Sequence, residues 1–220
     1  MFKPLLLTAI MTPLFIACGS GEELSETNII IGENTLSYYS ANDQYSQAIG
    51  KMARGCTATH IGNGYVLTAG HCVESFNCRS SDYNVTWNYR DNNRSGDFTS
   101  SCTEVVAKEL NNLRDFAILK YDETPQASFP LNTTSRPKQG DKLTILSHPE
   151  GVPLAWSGWC QHEGDFGEMK FSYKCDTKGG SSGAVVLNEN LEVVGIHNLG
   201  SQYYNKNAGT YLMDIPSFQR

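Results

Sequence analysis

The chain has 220 residues, of which 40% are apolar and 18% charged, with a formal net charge of −6 at pH 7. That length holds one structural unit or two small packed barrels with cores of their own, and the acidic balance argues against a surface built for nucleic acid. No heptad run and no repeat of solenoid period is present, which sets aside coiled coils and repeat arrays.

At the N-terminus, Lys3 precedes a mostly apolar stretch from Leu5 to Ile16, and Ala17-Cys18-Gly19 follows. This is the pattern of a secretory signal over residues 1–17, too short to span a bilayer. The segment Leu14-Phe15-Ile16-Ala17-Cys18 resembles a bacterial lipoprotein signal, in which the cysteine is lipidated and becomes the new N-terminus; Phe15 stands where leucine is preferred. Seven cysteines leave one over, and lipid on Cys18 accounts for it. The competing reading is ordinary signal cleavage, with Cys18 removed or left as a free thiol. Residues 18–28 then form a polar tether, any membrane attachment comes from the lipid, and the expected location is periplasmic or cell-surface, otherwise extracellular.

Beyond the tether, short β-rich runs recur between Gly, Asn and Pro clusters: Gly64 to Thr68, Val85 to Tyr89, Thr103 to Ala107, Phe116 to Tyr121, Lys142 to Ser147, Gly183 to Leu187, Val193 to His197 and Thr210 to Met213. They predict an all-β barrel or sandwich. Thr124 to Gly140 carries Pro125, Pro130 and Pro137 and reads as a linker between halves. Asp91 and Asp97 lie in a polar stretch and read as loop residues.

Three segments carry chemistry: Thr68-Ala69-Gly70-His71-Cys72, Asp115-Phe116-Ala117-Ile118-Leu119 and Gly180-Ser181-Ser182-Gly183. A serine hydroxyl is a weak nucleophile at neutral pH and needs an imidazole to take its proton, and the imidazole needs a carboxylate on its other nitrogen to fix the tautomer. Ser182, His71 and Asp115 supply these groups. Gly180 lets the backbone turn so that the amides of Gly180 and Ser182 point at a developing oxyanion. Ser181 competes with Ser182, but only Ser182 has a glycine two residues before it and another directly after. His60, His148 and His162 have no spaced partners and read as core or surface residues.

In this order and with the Thr-Ala-Gly-His-Cys block, the sequence resembles the trypsin-like, chymotrypsin-fold serine peptidases from about Gly55 to the C-terminus. The resemblance implies two packed antiparallel six-stranded β-barrels in a peptidase domain over residues 29–220. The N-terminal barrel is expected at about 45–124 and the C-terminal one at about 136–220, with the active site in the cleft between them. It also implies a bond between Cys56 and Cys72. Cys160 and Cys175 bracket a hairpin-like segment, and Cys78 and Cys102 remain for each other, although fifteen connectivities are open to six cysteines. No short paired cysteine motif suggests zinc, and no metal or cofactor is expected.

For substrate, Thr177 and His197 sit at spacings that resemble bacterial glutamyl endopeptidases, where such a hydroxyl and imidazole bind an acidic side chain ahead of the scissile bond. Asp176, six residues before Ser182, stands where trypsin-type enzymes place the acid that selects Lys or Arg, so the basic-substrate rival stays open. Ile29-Ile30-Ile31-Gly32 looks like the freed N-terminus of a trypsin-like enzyme. Yet Ser181 replaces the acid that would receive the amine, so the active form is expected without that switch. Proteins or peptides are the expected partners. A surface binding or adhesion protein that keeps this fold without turnover is the reading from a different class.

Overall fold

The structure is a computed structural model that describes residues 29–219 apart from Gly32 and Arg79. The expected signal segment, Cys18 and the tether to residue 28 lie outside the described residues. In chain order the elements are β1 (Ser37–Tyr38), α1 (Gln44–Ala48), β2 (Ile49–Met52), β3 (Thr57–Gly62), β4 (Tyr65–Thr68), β5 (Val85–Trp87), β6 (Thr99–Ser100), β7 (Cys102–Leu110), β8 (Asp115–Tyr121), β9 (Lys142–Ser147), β10 (Ala155–Trp156), β11 (Cys160–Asp165), β12 (Lys170–Tyr173), β13 (Val185–Leu187), β14 (Val193–Ser201) and β15 (Lys206–Tyr211).

Local chemistry sets several of these boundaries. Helix α1 starts where the Asp43 side chain accepts from the amides of Tyr45 and Ser46 while Ser46 Oγ accepts from the Asp43 amide, a reciprocal cap. It stops at Ile49, whose backbone is extended. Strands β3 and β4 are joined by Asn63-Gly64, both left-handed at φ 53° and 76°, the geometry a two-residue hairpin requires.

The fold is all-β and antiparallel, as the sequence implies. In the second half, β9-β11-β12-β15-β14-β13 closes into a six-stranded barrel through the β9–β13 pairing, with β10 and β1 added outside β9. The first half differs in detail: it is one curled sheet in the order β6-β5-β2-β3-β4-β8-β7. Its two edge strands are consecutive pieces of chain on either side of Ser101, so the sheet curls until its edges meet through the backbone rather than through ladder hydrogen bonds.

Period-2 alternation explains how the halves join. In β8, Ala117, Leu119 and Tyr121 point into the core of the first sheet, while Phe116 and Ile118 point into a layer between the halves. From the other side, Val185 and Leu187 of β13 enter that layer while Val186 faces the second barrel's interior with Ile145, Phe171, Tyr173 and Tyr211. Strands buried on both faces read as continuous apolar runs, which is why β4, β8 and β9 are visible in the sequence. Each large side chain in the middle layer contributes about 2 kcal/mol on burial, so the two halves are held as one body.

Three disulfides join Cys56 to Cys72, Cys78 to Cys102 and Cys160 to Cys175. The first ties the β2–β3 turn to the turn that carries His71.

Candidate active site

His71 sits in the 3-10 turn Gly70–Cys72 that follows β4, and Asp115 opens β8, the strand paired with β4. The carboxylate grips the histidine twice: Oδ1 accepts from the His71 backbone amide at 3.0 Å and Oδ2 faces Nδ1 at 2.7 Å. This places the ring proton on Nδ1 and leaves Nε2 as the basic nitrogen. The Asp115 side chain is 9% exposed and that of His71 26%, a buried carboxylate behind a reachable imidazole.

Asp115 is itself held by the second barrel. Its amide donates to Thr210 Oγ1 at 3.1 Å, Thr210 Oγ1 donates to Asn198 Oδ1 at 2.7 Å, and Asn198 Nδ2 donates to the Asp115 carbonyl at 2.6 Å. The ring of three bonds closes on itself, so every donor direction in it is fixed. It fastens β8 to β14 and β15 beside the imidazole.

Ser182 lies on the loop between β12 and β13, flanked by two glycines with left-handed backbones, Gly180 at φ 88° and Gly183 at φ 84°. A Cβ on Gly180 would meet the His148 carbonyl oxygen at 2.7 Å, and one on Gly183 would meet Thr68 Oγ1 at 2.1 Å, so neither position admits a side chain without movement. Strand β13 starts at Val185 rather than Gly183 because this turn precedes it.

Thr57 of β3 fixes the loop. Its amide donates to the Ser182 carbonyl at 2.9 Å, its hydroxyl donates to the Gly180 carbonyl at 2.8 Å, and the same hydroxyl accepts from the His148 amide at 2.9 Å. The Ser182 carbonyl oxygen also lies 3.9 Å from Cys72 Sγ, which brings the Ser182 main chain against the His71 turn. On the far side, the Glu150 amide donates to the Gly179 carbonyl. That bond turns the Gly179 carbonyl toward residue 150, and because a peptide is planar and trans it turns the Gly180 N–H the other way.

Ser181 is fully buried, its hydroxyl 3.1 Å from Ser147 Oγ and accepting from the Lys178 amide. The residue before Ser182 is thus part of a buried hydroxyl cluster rather than an acceptor for a charged amine. Asp176 takes up the N-terminal segment instead: its two carboxylate oxygens accept from the Ile31 amide, the Thr35 amide and Thr35 Oγ1, each at 2.7 Å. The expectation of a pocket-floor acid at Asp176 does not fit this placement, since both oxygens are engaged and the side chain is buried.

Thr177 pairs its backbone with Ile29 and donates its hydroxyl to Asn207 Oδ1 at 2.8 Å, while Asn207 Nδ2 donates to the Cys175 carbonyl at 2.6 Å. The amide orientation commits the Thr177 proton, so its role as a donor to substrate is not available in this arrangement. His197 is buried on β14 with Nδ1 2.6 Å from the Tyr173 hydroxyl. Burial raises the Tyr173 phenol well above its ordinary pKa and keeps it protonated.

Cys56, Cys72 and His71 come close enough to suggest a metal cluster, but the two sulfurs are bonded to each other and Nδ1 faces Asp115, which leaves no thiolate to ligate. His60 and His162 are buried in the cores, against the Ala127 carbonyl and the Tyr211 hydroxyl. Buried His148 lies against the Gly180 turn, and desolvation pushes its pKa down to about 4. Thr57, Asn198, Thr210, Asn207, Tyr173 and Glu150 carry no local signal that marks them in the sequence.

A half-closed pair of antiparallel β units, with a carboxylate-gripped histidine from one beside a glycine-flanked serine from the other, defines a serine endopeptidase of the chymotrypsin fold. The chain belongs to the trypsin-like peptidase domain family, which matches it over residues 56–196. Among solved structures it is similar to a Glu endopeptidase in complex with MPD, with a TM-score of 0.69 and 22% identity over 84% of this chain and 94% of that one. The VesB protease of Vibrio cholerae gives 0.67 and 18% over 82% of this chain and 64% of that one. The Rv3671c protease, in an inactive form, gives 0.58 and 17% over 76% and 85%. No curated protein matches the sequence.

Proposed function

We propose that Ser182 is the nucleophile, His71 the general base and then acid, and Asp115 the group that orients and charge-stabilises the imidazole. The observation that carries this is the pair of hydrogen bonds from His71 to Asp115, which leaves Nε2 to act. As Oγ of Ser182 bonds to the scissile carbonyl carbon, its proton passes to Nε2 and the carbonyl electron pair moves to oxygen. The Gly180 and Ser182 amides receive that oxyanion, the first of them aimed by the Glu150 contact on Gly179. The imidazolium then protonates the leaving amine, the C–N bond breaks, and water releases the acyl group by the same steps in reverse.

For specificity we read an acidic residue before the scissile bond. The Tyr173 hydroxyl faces Nδ1 of His197 at 2.6 Å, and in the tautomer that accepts there the imidazole carries a proton on Nε2, a donor suited to a carboxylate. The engagement of Asp176 by Ile31 and Thr35 weighs against Lys or Arg. Three disulfides support export to an oxidising compartment, in keeping with a lipid anchor on Cys18.

Digestion of a mixed peptide library, read by mass spectrometry, tests the reading. Cuts after Glu that vanish in Ser182→Ala and His71→Ala, and that slow by about 10⁴ in Asp115→Asn, are expected. Cuts after Lys or Arg would refute the specificity. A folded protein that neither cuts nor takes up a serine-directed covalent inhibitor would favour the binding-protein alternative.

A further inference from the structure

A cleft of about 650 Å³ opens beside the catalytic pair, lined by His71 and Asp115 and, beyond them, by Leu110, Asn111, Phe166, Lys170 and Leu199 among others. Lys170 is its cation. The residue stands at the start of β12, half-buried, and its ammonium makes no hydrogen bond or ion pair among the described residues. Asp115 is the carboxylate that lines the same cleft, but both of its oxygens are already engaged by His71. The ammonium therefore loses part of its hydration to the cleft wall and feels Asp115 as a nearby charge without a hydrogen bond to it; desolvation outweighs that attraction and lowers its pKa. A half-desolvated cation whose nearby carboxylate is committed to His71 has its ammonium donors left for a further anion.

We infer that this cleft is a second acid-recognising subsite, in which Lys170 binds the carboxylate of an Asp or Glu that precedes, by one to three residues, the residue at the scissile bond. The inference rests on the peptidase reading above and adds a second element of specificity to it. Direction follows from β14, which runs from His197, assigned to the residue at the scissile bond, to Leu199 in the cleft wall. A peptide laid along that strand carries its preceding residues over the cleft. Leu110, Phe166 and Leu199 offer apolar surface to the methylenes of a glutamate, and the Asn111 and Asn112 amides add polar surface at the rim. Natural substrates would then be segments with two acidic residues in close succession rather than isolated glutamates.

The test uses matched fluorogenic peptides that share the residue at the scissile bond and differ only by Glu or Gln one, two or three residues before that residue. At one of these positions the wild-type protein should favour Glu over Gln in kcat/KM by about tenfold, the scale of a charge-assisted hydrogen bond in a partly dry site, with the difference in KM. Lys170→Met should bring that ratio close to one, Lys170→Arg should keep it, and Lys170→Glu should reverse it. A wild-type ratio near one at all three positions, or a ratio that survives in Lys170→Met, overturns the inference while the peptidase reading stands. Failure to cut any of the peptides, with Ser182 unlabelled by a covalent inhibitor, overturns the peptidase reading and this inference together.

Discussion

Replacing Thr57 by valine removes one oxygen from the centre of the site while keeping the shape of the side chain. That oxygen donates to the Gly180 carbonyl at 2.8 Å and accepts from the His148 amide at 2.9 Å, and both Thr57 and His148 are 0% exposed. Valine leaves the His148 amide unpaired, at about 1–3 kcal/mol, and removes one further net bond of about 1 kcal/mol. For a protein of this size each kcal/mol lowers Tm by about 2–4 °C, so a fall of about 5–10 °C is expected. The catalytic effect is separate. The Gly180 carbonyl belongs to the residue whose amide is assigned to the oxyanion, so a loosened Gly180 lowers kcat more than it raises KM. Loss of a whole oxyanion donor sets a ceiling of about 10²–10³, and a displaced one is expected to cost about tenfold. Steady-state kcat and KM well below the melting point, with Thr57→Ser as the variant that keeps the oxygen, separate the two effects. A valine variant that melts lower but turns over within twofold of the serine variant would show that Thr57 supports only the fold.

His148 gives a pH signature. Its folded pKa of about 4 lies below the ordinary histidine value of 6.5, so the unfolded chain binds the extra proton first. Stability is then full above about pH 6.5 and declines as pH falls toward about 4, by about 3 kcal/mol in all. Urea midpoints measured across that window should show this slope, and His148→Phe, which keeps an aromatic ring against Tyr89, should flatten it; an unchanged slope would assign it to other groups. Asp176→Asn should weaken the hold on Ile31 and Thr35 and lower stability by about 1–2 kcal/mol in chemical denaturation. The same substitution should leave the Glu-to-Lys cleavage ratio unchanged, and a shift of that ratio would return Asp176 to the substrate pocket.

Much of the molecule can be read along the chain because its signals are local. Val66 and Leu67 of β4, and Phe116 to Leu119 of β8, are buried on both strand faces and so appear as apolar runs, whereas β11 and β12 show in the sequence only as the hairpin-like segment between Cys160 and Cys175, an expectation their antiparallel pairing meets. The reason is visible in β11, whose residues Cys160–Asp165 are largely polar and only partly buried, so no apolar period marks them. The order of His71, Asp115 and Ser182 is likewise legible, since it rests on residue types within short blocks, whereas of the three disulfides only Cys56–Cys72 follows from the resemblance and the cysteine positions alone leave the other pairings open. Asp176 shows the limit of such reading: its position suggested a pocket acid, and its partners, Ile31 and Thr35, stand more than a hundred residues away.

The sequence by itself determined the residue types of the proposed catalytic set, the β class and the glycine-flanked serine turn, because these depend on residue type, backbone freedom and alternation over a few neighbours. Only the tertiary structure decided what holds them in place: Thr57 on Gly180, 123 residues apart, and Asn198 and Thr210 on Asp115, 83 and 95 apart. Each of those bonds joins polar residues that are unremarkable where they stand in the chain. They acquire a role because the apolar layer between the halves buries them together, and a buried donor or acceptor must find its partner there.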